Sequence, residues 1–178
     1  MKLTKEEWLS AGLAILTEQG PDSLKVDILC KYQGVTKGSF YHHFNNRLDY
    51  IQQLLAFWQQ QNTQDIIAQV EHIASLPQRS AALDAITLAA ETGPEKAFRA
   101  WAQTDATVAE FVQQVDEKRV EYLELIIAPQ LPNKDGANLI AKLAYAHFVG
   151  AQQLDALISK DEWRKMNELL RNVLTPAN

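Results

Sequence analysis

Gly34-Val35-Thr36-Lys37-Gly38-Ser39-Phe40-Tyr41-His42-His43-Phe44 is the stretch whose reading decides the fold. Leu29 and Cys30 precede it as the apolar and small positions of a short helix. Gly34 then supplies a turn where a Cβ would obstruct the chain, and Thr36 is placed to cap a second short helix. That second helix would send Lys37, Ser39, Tyr41 and His42 outward while Val35, Phe40 and Phe44 are spaced to pack inward. A helix end with small, hydroxylated and cationic side chains suits a phosphate-lined groove. The arrangement is that of a helix-turn-helix.

Upstream, Thr4-Lys5-Glu6-Glu7 has the spacing of a capping box, so a helix should begin there. Trp8, Leu9, Gly12, Leu13, Ile15 and Leu16 give it an apolar face, and Gly20-Pro21 ends it. Asp22 or Ser23 is the expected cap of the next helix. Downstream, Asn46 is the expected cap of a long helix carrying Leu48, Ile51, Leu54, Leu55, Trp58, Ile66, Val70 and Ile73 and stopping before Pro77. Its polar run Gln59-Gln60-Gln61-Asn62 resembles a linker in composition, but the apolar spacing beyond it keeps a helical face going.

With 178 residues, 47% of them hydrophobic, the chain can bury a sizeable core. No apolar run reaches the ~20 residues of a membrane span. No hydrophobic signal segment follows Met1, which makes the cytoplasm the expected compartment. A single cysteine makes no intramolecular disulfide. The net charge of −5 argues mildly against nucleic acid, but its distribution reverses that inference. No carboxylate lies between Asp27 and Asp49, whereas Lys31, Lys37, Arg47, His42 and His43 do.

On these residues the segment from Leu24 to Asn46 resembles the DNA-binding segment of the TetR family of bacterial transcriptional regulators. The family pattern runs gly-val-ser/thr, lys-gly, two further residues, then tyr-his-his-phe or a near variant. The chain departs from it at Lys25, where a capping threonine is common, at Gln33, where a small residue is usual, and at Asn45, where proline is frequent. The resemblance covers about the first quarter of the chain. It implies an all-α protein: a three-helix DNA-binding unit over residues 1–48, with its motif at about 25–44, and a helical ligand-binding and dimerisation bundle over 49–178. The expected DNA contacts are Thr36, Lys37, Gly38, Ser39, Tyr41, His42 and Arg47, and the long helix after Asn46 is expected to join the two parts. The resemblance also implies a one-component regulator, more often a repressor, that binds a palindromic operator as a homodimer and answers to a small molecule.

The remainder reads as helices over about residues 81–91, 94–101, 105–127, 137–159 and 160–174, about nine in all. The loop 132–136 precedes the penultimate one. On that helix Leu139, Leu143, Ala146, Gly150 and Leu157 form one stripe, and Ile140, Ala144, Phe148 and Ala151 a second beside it. One stripe can face the core and the other a second subunit, joined by Trp163, Met166, Leu169, Leu170 and Val173 of the last helix. Polar residues on apolar stripes mark a candidate effector site: Trp58, Asn62, Trp101, Phe111, Arg119, Tyr122 and His147. Arg119, on the face formed by Val108, Phe111, Val112, Val115, Tyr122 and Ile126, needs a partner there, and Asp155 is the candidate within the chain.

The competing classes are weaker. A phosphate loop, a nucleophile elbow and a helical zinc motif are all missing, so neither catalytic residues, a cofactor nor a metal site is expected. The four histidines have no metal-ligand spacing. Cys30 reads as packing, with a redox sensor the lesser alternative. A helical interaction module without DNA binding would have no use for Thr36, Lys37, Ser39, Tyr41 and His42 together.

Overall fold

The computed structural model describes residues 3–131 and 134–174, with side chains as far as Asn172, so the side chain of Val173 and residues 132–133 of the loop at 132–136 lie outside what it describes. The described residues are helical and turn structure throughout. Helices α1 (Lys5–Gln19), α2 (Val26–Gln33), α3 (Lys37–His43) and α4 (Arg47–Gln59) come first. A π-helical turn, Gln60–Gln64, leads into α5 (Asp65–Glu71). Then follow α6 (Leu76–Ala89), α7 (Gly93–Ala102), α8 (Ala106–Ile127), α9 (Ala137–Gln153) and α10 (Lys160–Leu174). With α4, the π turn and α5 taken as one continuous helix, the described residues form the nine helices that the sequence leads one to expect.

The chain divides into two compact units, residues 1–62 with 92–113, and residues 63–91 with 114–178. In the first, Trp8, Ile15, Leu16, Leu24, Leu29, Phe40, Phe44, Tyr50, Leu54, Trp58 and Phe98 are buried. The α1 cap is as read: Thr4 Oγ1 accepts from the Glu7 amide at 3.2 Å, and the Thr4 amide donates back to Glu7 Oε2 at 2.6 Å. The Thr4 amide, and after it the Thr4 hydroxyl at 2.9 Å, donate to the Glu7 carboxyl and hold it below its ordinary pKa. Gly12 lets α1 lie directly on α4, because a Cβ there would sit 2.0 Å from the Tyr50 hydroxyl. Helix α7 packs on α1, with Gly93 close over the Thr17 methyl.

In the second unit Val70, Tyr122 and Ile126 form a core with Ile67, Ile73, Ala82, Leu83 and Ile86 around it. Arg79 bonds the carbonyls of Glu71 and Ile73 and so closes the turn between α5 and α6. Arg171 pairs with Asp84 and ties α10 to α6. Burial pushes the Asp84 carboxyl up, and the guanidinium opposes that.

Some local expectations need correction. The residue at the cap of α2 is Lys25, without a side-chain cap, because Pro21–Ser23 form a 3-10 turn of their own. Helix α6 begins at Leu76, not near Ala81, since Pro77 occupies its first turn, where a missing N–H costs nothing. Helix α9 ends at Gln153, short of Ser159, and Ser159 instead caps α10 in a box with Glu162.

Candidate nucleic-acid interface and regulatory polar cluster

The turn before α3 is built as its sequence requires. Gly34 is left-handed, with φ 66°, and the Val35 amide reaches back to the Cys30 carbonyl at 3.0 Å, closing α2 in a Schellman-type end. Cys30 is buried and its thiol pKa is raised, chiefly by desolvation, which fits packing. Thr36 occupies the cap position of α3, yet its side chain makes no cap bond.

Helix α3 is anchored by Phe40, which is fully buried, with ring centroids 5.5 Å from Trp8, 5.1 Å from Phe44 and 5.5 Å from Tyr50. Phe40 and Phe44 are therefore inward as read, whereas Val35 is half-buried. The opposite face is open: Thr36, Lys37, Gly38, Tyr41 and His42 are exposed, and Ser39 is half-buried. Tyr41 stands 55% exposed beside Phe40, a large aromatic held outward on a rigid base. Lys37 Nζ lies 2.6 Å from Asp27 on α2, and this carboxylate raises the ammonium pKa, its hydrogen bond first. The pair is exposed, so a phosphate can compete for the cation at little cost. Arg47 is exposed, but its Nε donates to the Leu24 carbonyl at 2.6 Å, which fixes the start of α4 against the connection between α1 and α2. His43 is less open than His42, since its Nε2 shares a hydrogen bond with the Leu3 carbonyl at 2.8 Å.

Two of the three departures from the family pattern have a local use. Gln33 Nε2 donates to the Glu7 carbonyl at 2.9 Å and ties α2 to α1. Asn46 caps α4 through its side chain, and the Asn45 amide donates to Asp49 Oδ2 at 2.8 Å. A proline at 45 lacks that N–H. The bond from Asn45 is also the first cause holding the Asp49 carboxyl below its ordinary pKa.

The seven candidate effector contacts fall in both units. Trp58, Asn62, Trp101 and Phe111 belong to the first, where Trp58 packs on Phe98 at 4.6 Å and Phe98 stacks on Trp101 at 6.3 Å. Asn62 is half-buried and donates from Nδ2 to the Trp58 carbonyl in its own helix at 3.2 Å. Phe111 is half-buried. Arg119, Tyr122 and His147 belong to the second unit. There Arg119 is half-buried, donating from Nε to Thr63 Oγ1 at 2.9 Å and from Nη1 to the Tyr145 hydroxyl at 3.2 Å. Tyr145 in turn donates to Asp116 Oδ1 at 2.6 Å, and the Phe148 ring lies 6.0 Å from the guanidinium carbon. Asp155 is exposed in the turn after α9. His147 shares a hydrogen bond with Asn167 at 2.8 Å.

A groove of about 280 Å³ runs beside this cluster, its walls formed by Thr63, Ile67 and Glu71 on one side and Lys118, Tyr122 and Leu125 on the other. Thr63, 2% exposed, is the member of this cluster that the sequence does not single out. Its signal was hidden because it follows Trp58 by five residues, a π spacing, while a regular helix puts Asn62 on that face. Arg119→Met is expected to lower stability by about 1–3 kcal/mol through the loss of charge-assisted hydrogen bonds, measured by denaturant unfolding. An unchanged midpoint would mean that the cluster carries no weight.

No helix among the described residues is long and apolar enough to cross a membrane, and no group of acidic, histidine or cysteine side chains there could hold a metal ion. The profile of bacterial regulatory proteins of the tetR family matches residues 9–51, the span from α1 into α4. The transcriptional regulator AcuR of Cereibacter sphaeroides is 46% identical over 48 residues, covering 27% of this chain and 22% of AcuR. The match thus spans about a fifth of that relative's length. Beyond it the likeness is one of fold. A crystal structure assigned to the TetR/AcrR family superposes with a TM-score of 0.81 at 15% identity, covering 96% of this chain and 97% of that one. A transcriptional regulator from Rhodococcus sp. Rha1 superposes with a TM-score of 0.73 at 17% identity, over 97% and 96% of the two chains. Residues 9–51 thus match the tetR family of bacterial regulatory proteins in motif, and the described chain shares the fold of these solved structures.

Proposed function

We propose that the protein is a homodimeric, one-component transcriptional repressor of the cytoplasm that reads a palindromic operator with α3 and releases it when a small molecule binds. The observation that carries the reading is the two-faced build of α3. Phe40 locks one side into an aromatic core, and Thr36, Lys37, Gly38, Tyr41 and His42 stand exposed on the other. In this reading residues 1–48 bind DNA, Ser39 and Arg47 add backbone contacts, and residues 49–178 regulate. A gel shift against genomic fragments at ~0.15 M salt tests it. Retention of discrete fragments supports operator recognition, while a smear lost with salt leaves general phosphate attraction and favours an interaction module.

Dimerisation is supported by the apolar side of α9. Leu139, Leu143 and Ala146 are exposed, with Leu157 beyond the helix and Leu169 on α10 exposed as well. Gly150 has open space where a Cβ would stand, with nothing of the described residues within 4 Å of it. A two-fold dimer would offer two copies of α3 to the two halves of a palindromic operator. Gly150→Leu is therefore expected to leave the melting temperature unchanged or raised and to weaken self-association at least tenfold in sedimentation. A wild type that sediments as a monomer at micromolar concentration would contradict the dimer.

For the effector, we propose the region of Arg119 and Tyr122 beside the groove, with His147 on α9 a further candidate contact in the same unit. An acidic effector would have to compete with Thr63 and Tyr145 for the guanidinium. Linkage requires such a molecule to lower operator affinity by the same factor by which the operator lowers its own.

A further inference from the structure

Asp27 is the only carboxylate between Asp22 and Asp49, a stretch whose other charged residues are Lys25, Lys31, Lys37 and Arg47. A surface that meets phosphates loses attraction by carrying an anion, so its place there needs a physical reason. The first turn of α2 favours a carboxylate, but that alone requires no contact with α3. Lys31 lies four residues further along α2, the spacing at which an acid and a base pair on one helix face. Asp27 reaches elsewhere. Its Oδ1 meets Lys37 Nζ of α3 at 2.6 Å, with both side chains more than half exposed.

Lys37 opens α3, where the positive end of the helix disfavours a cation, and the first turn of α3 has no acidic residue of its own. Asp27 supplies that counter-charge from the neighbouring helix. The hydrogen bond between them is the first cause of the raised Lys37 pKa. The same ammonium is the one a DNA phosphate would engage. Carboxylate and phosphate are both anions, so a close contact of each with Lys37 brings two negative charges together. Once displaced, Asp27 remains solvated and has Lys31 on its own helix as an alternative partner.

We propose that Asp27 competes with DNA phosphate for Lys37 and so holds the affinity for any duplex below what the cations alone would supply. This rests on the reading of α3 as the DNA-reading helix. The competition acts on a backbone contact, so it lowers the affinity for operator and unrelated duplex alike and leaves the preference between them as it is. For a regulator that has to release its operator, a lower starting affinity reduces the differential binding that an effector must provide.

Fluorescence anisotropy on the full chain tests it, with wild type, Asp27→Asn, Lys37→Ala and the double variant each titrated onto an operator duplex and an unrelated one. At ~0.15 M salt the Debye length of about 8 Å screens a carboxylate that only faces the DNA from a distance, so a contact effect stands out. Asp27→Asn should tighten binding to both duplexes about threefold, the scale of an exposed ion pair, with the ratio of the two affinities unchanged. In the Lys37→Ala background the same substitution should change nothing, because the cation being contested is gone. Equal tightening in both backgrounds would overturn the competition and make Asp27 a direct repellent of DNA. Unchanged or weaker binding in Asp27→Asn, beside a Lys37→Ala that binds less tightly than wild type, would overturn the competition while leaving α3 as the reading helix. A wild type that binds neither duplex would overturn both together.

Discussion

Phe40→Ala is expected to destabilise the first compact unit by about 3–5 kcal/mol and to abolish operator binding at 37 °C. Phe40 is fully buried and its ring touches Trp8 from α1, Phe44 at the end of α3 and Tyr50 from α4. Removing it takes the centre from an aromatic cluster contributed by three helices, and the short α3 has no other fully buried side chain. A seven-residue helix is marginal without tertiary packing, so its ordering rests on this ring. Chemical denaturation measures the loss. Phe40→Leu, which keeps most of the apolar volume, should recover a large part of it. Stability within ~0.5 kcal/mol of wild type in Phe40→Ala would mean that the aromatic cluster does not hold α3.

Gly12→Ala should be nearly as damaging for so small a change. Its Cβ would lie 2.0 Å from the Tyr50 hydroxyl oxygen and 3.1 Å from Leu54 Cδ1, so either α1 or Tyr50 must move. The Tyr50 hydroxyl donates to the Trp8 carbonyl at 3.0 Å, and displacing it leaves both groups buried without each other. Overpacking and the lost bond together cost about 1–3 kcal/mol net of alanine's better helix propensity, a fall of roughly 2–4 °C in melting temperature for each kcal/mol. The clash is with one atom, so Tyr50→Phe in the same background should recover part of the loss although it is destabilising alone. Additive losses would show that the strain lies elsewhere.

The sequence made the helix-turn-helix end legible because its signals are local. Thr4 with Glu7, Gly34 and Asn46 each specify a helix end through their own side chain or their lack of one, and each is used as read. Phe40 and Phe44 follow from spacing alone. The misreadings share one cause, which is that a residue type can serve two local geometries. Pro77 can end a helix or occupy its first turn, and it does the second. Thr36 can cap α3, and it takes the position without the bond. The later part of the chain was legible as helices but less so as a candidate site. Arg119 stood out as a cation on an apolar face, yet its acceptor Thr63 comes from 56 residues earlier and from a π turn that no α period reveals.

The account's central claim is that the exposed face of α3 reads DNA. Its most direct test is the affinity of wild type, Lys37→Ala, Tyr41→Ala and His42→Ala for one selected operator duplex and for unrelated duplex, followed by fluorescence anisotropy over a salt series. All three side chains are exposed, so folding should be unaffected. The account predicts that Lys37→Ala weakens binding on both duplexes and lowers the salt slope by about one unit, as for a lost phosphate contact. It predicts that Tyr41→Ala or His42→Ala lowers the preference for the operator by roughly 1–3 kcal/mol. Wild-type affinity and wild-type salt slope in all three variants would contradict it.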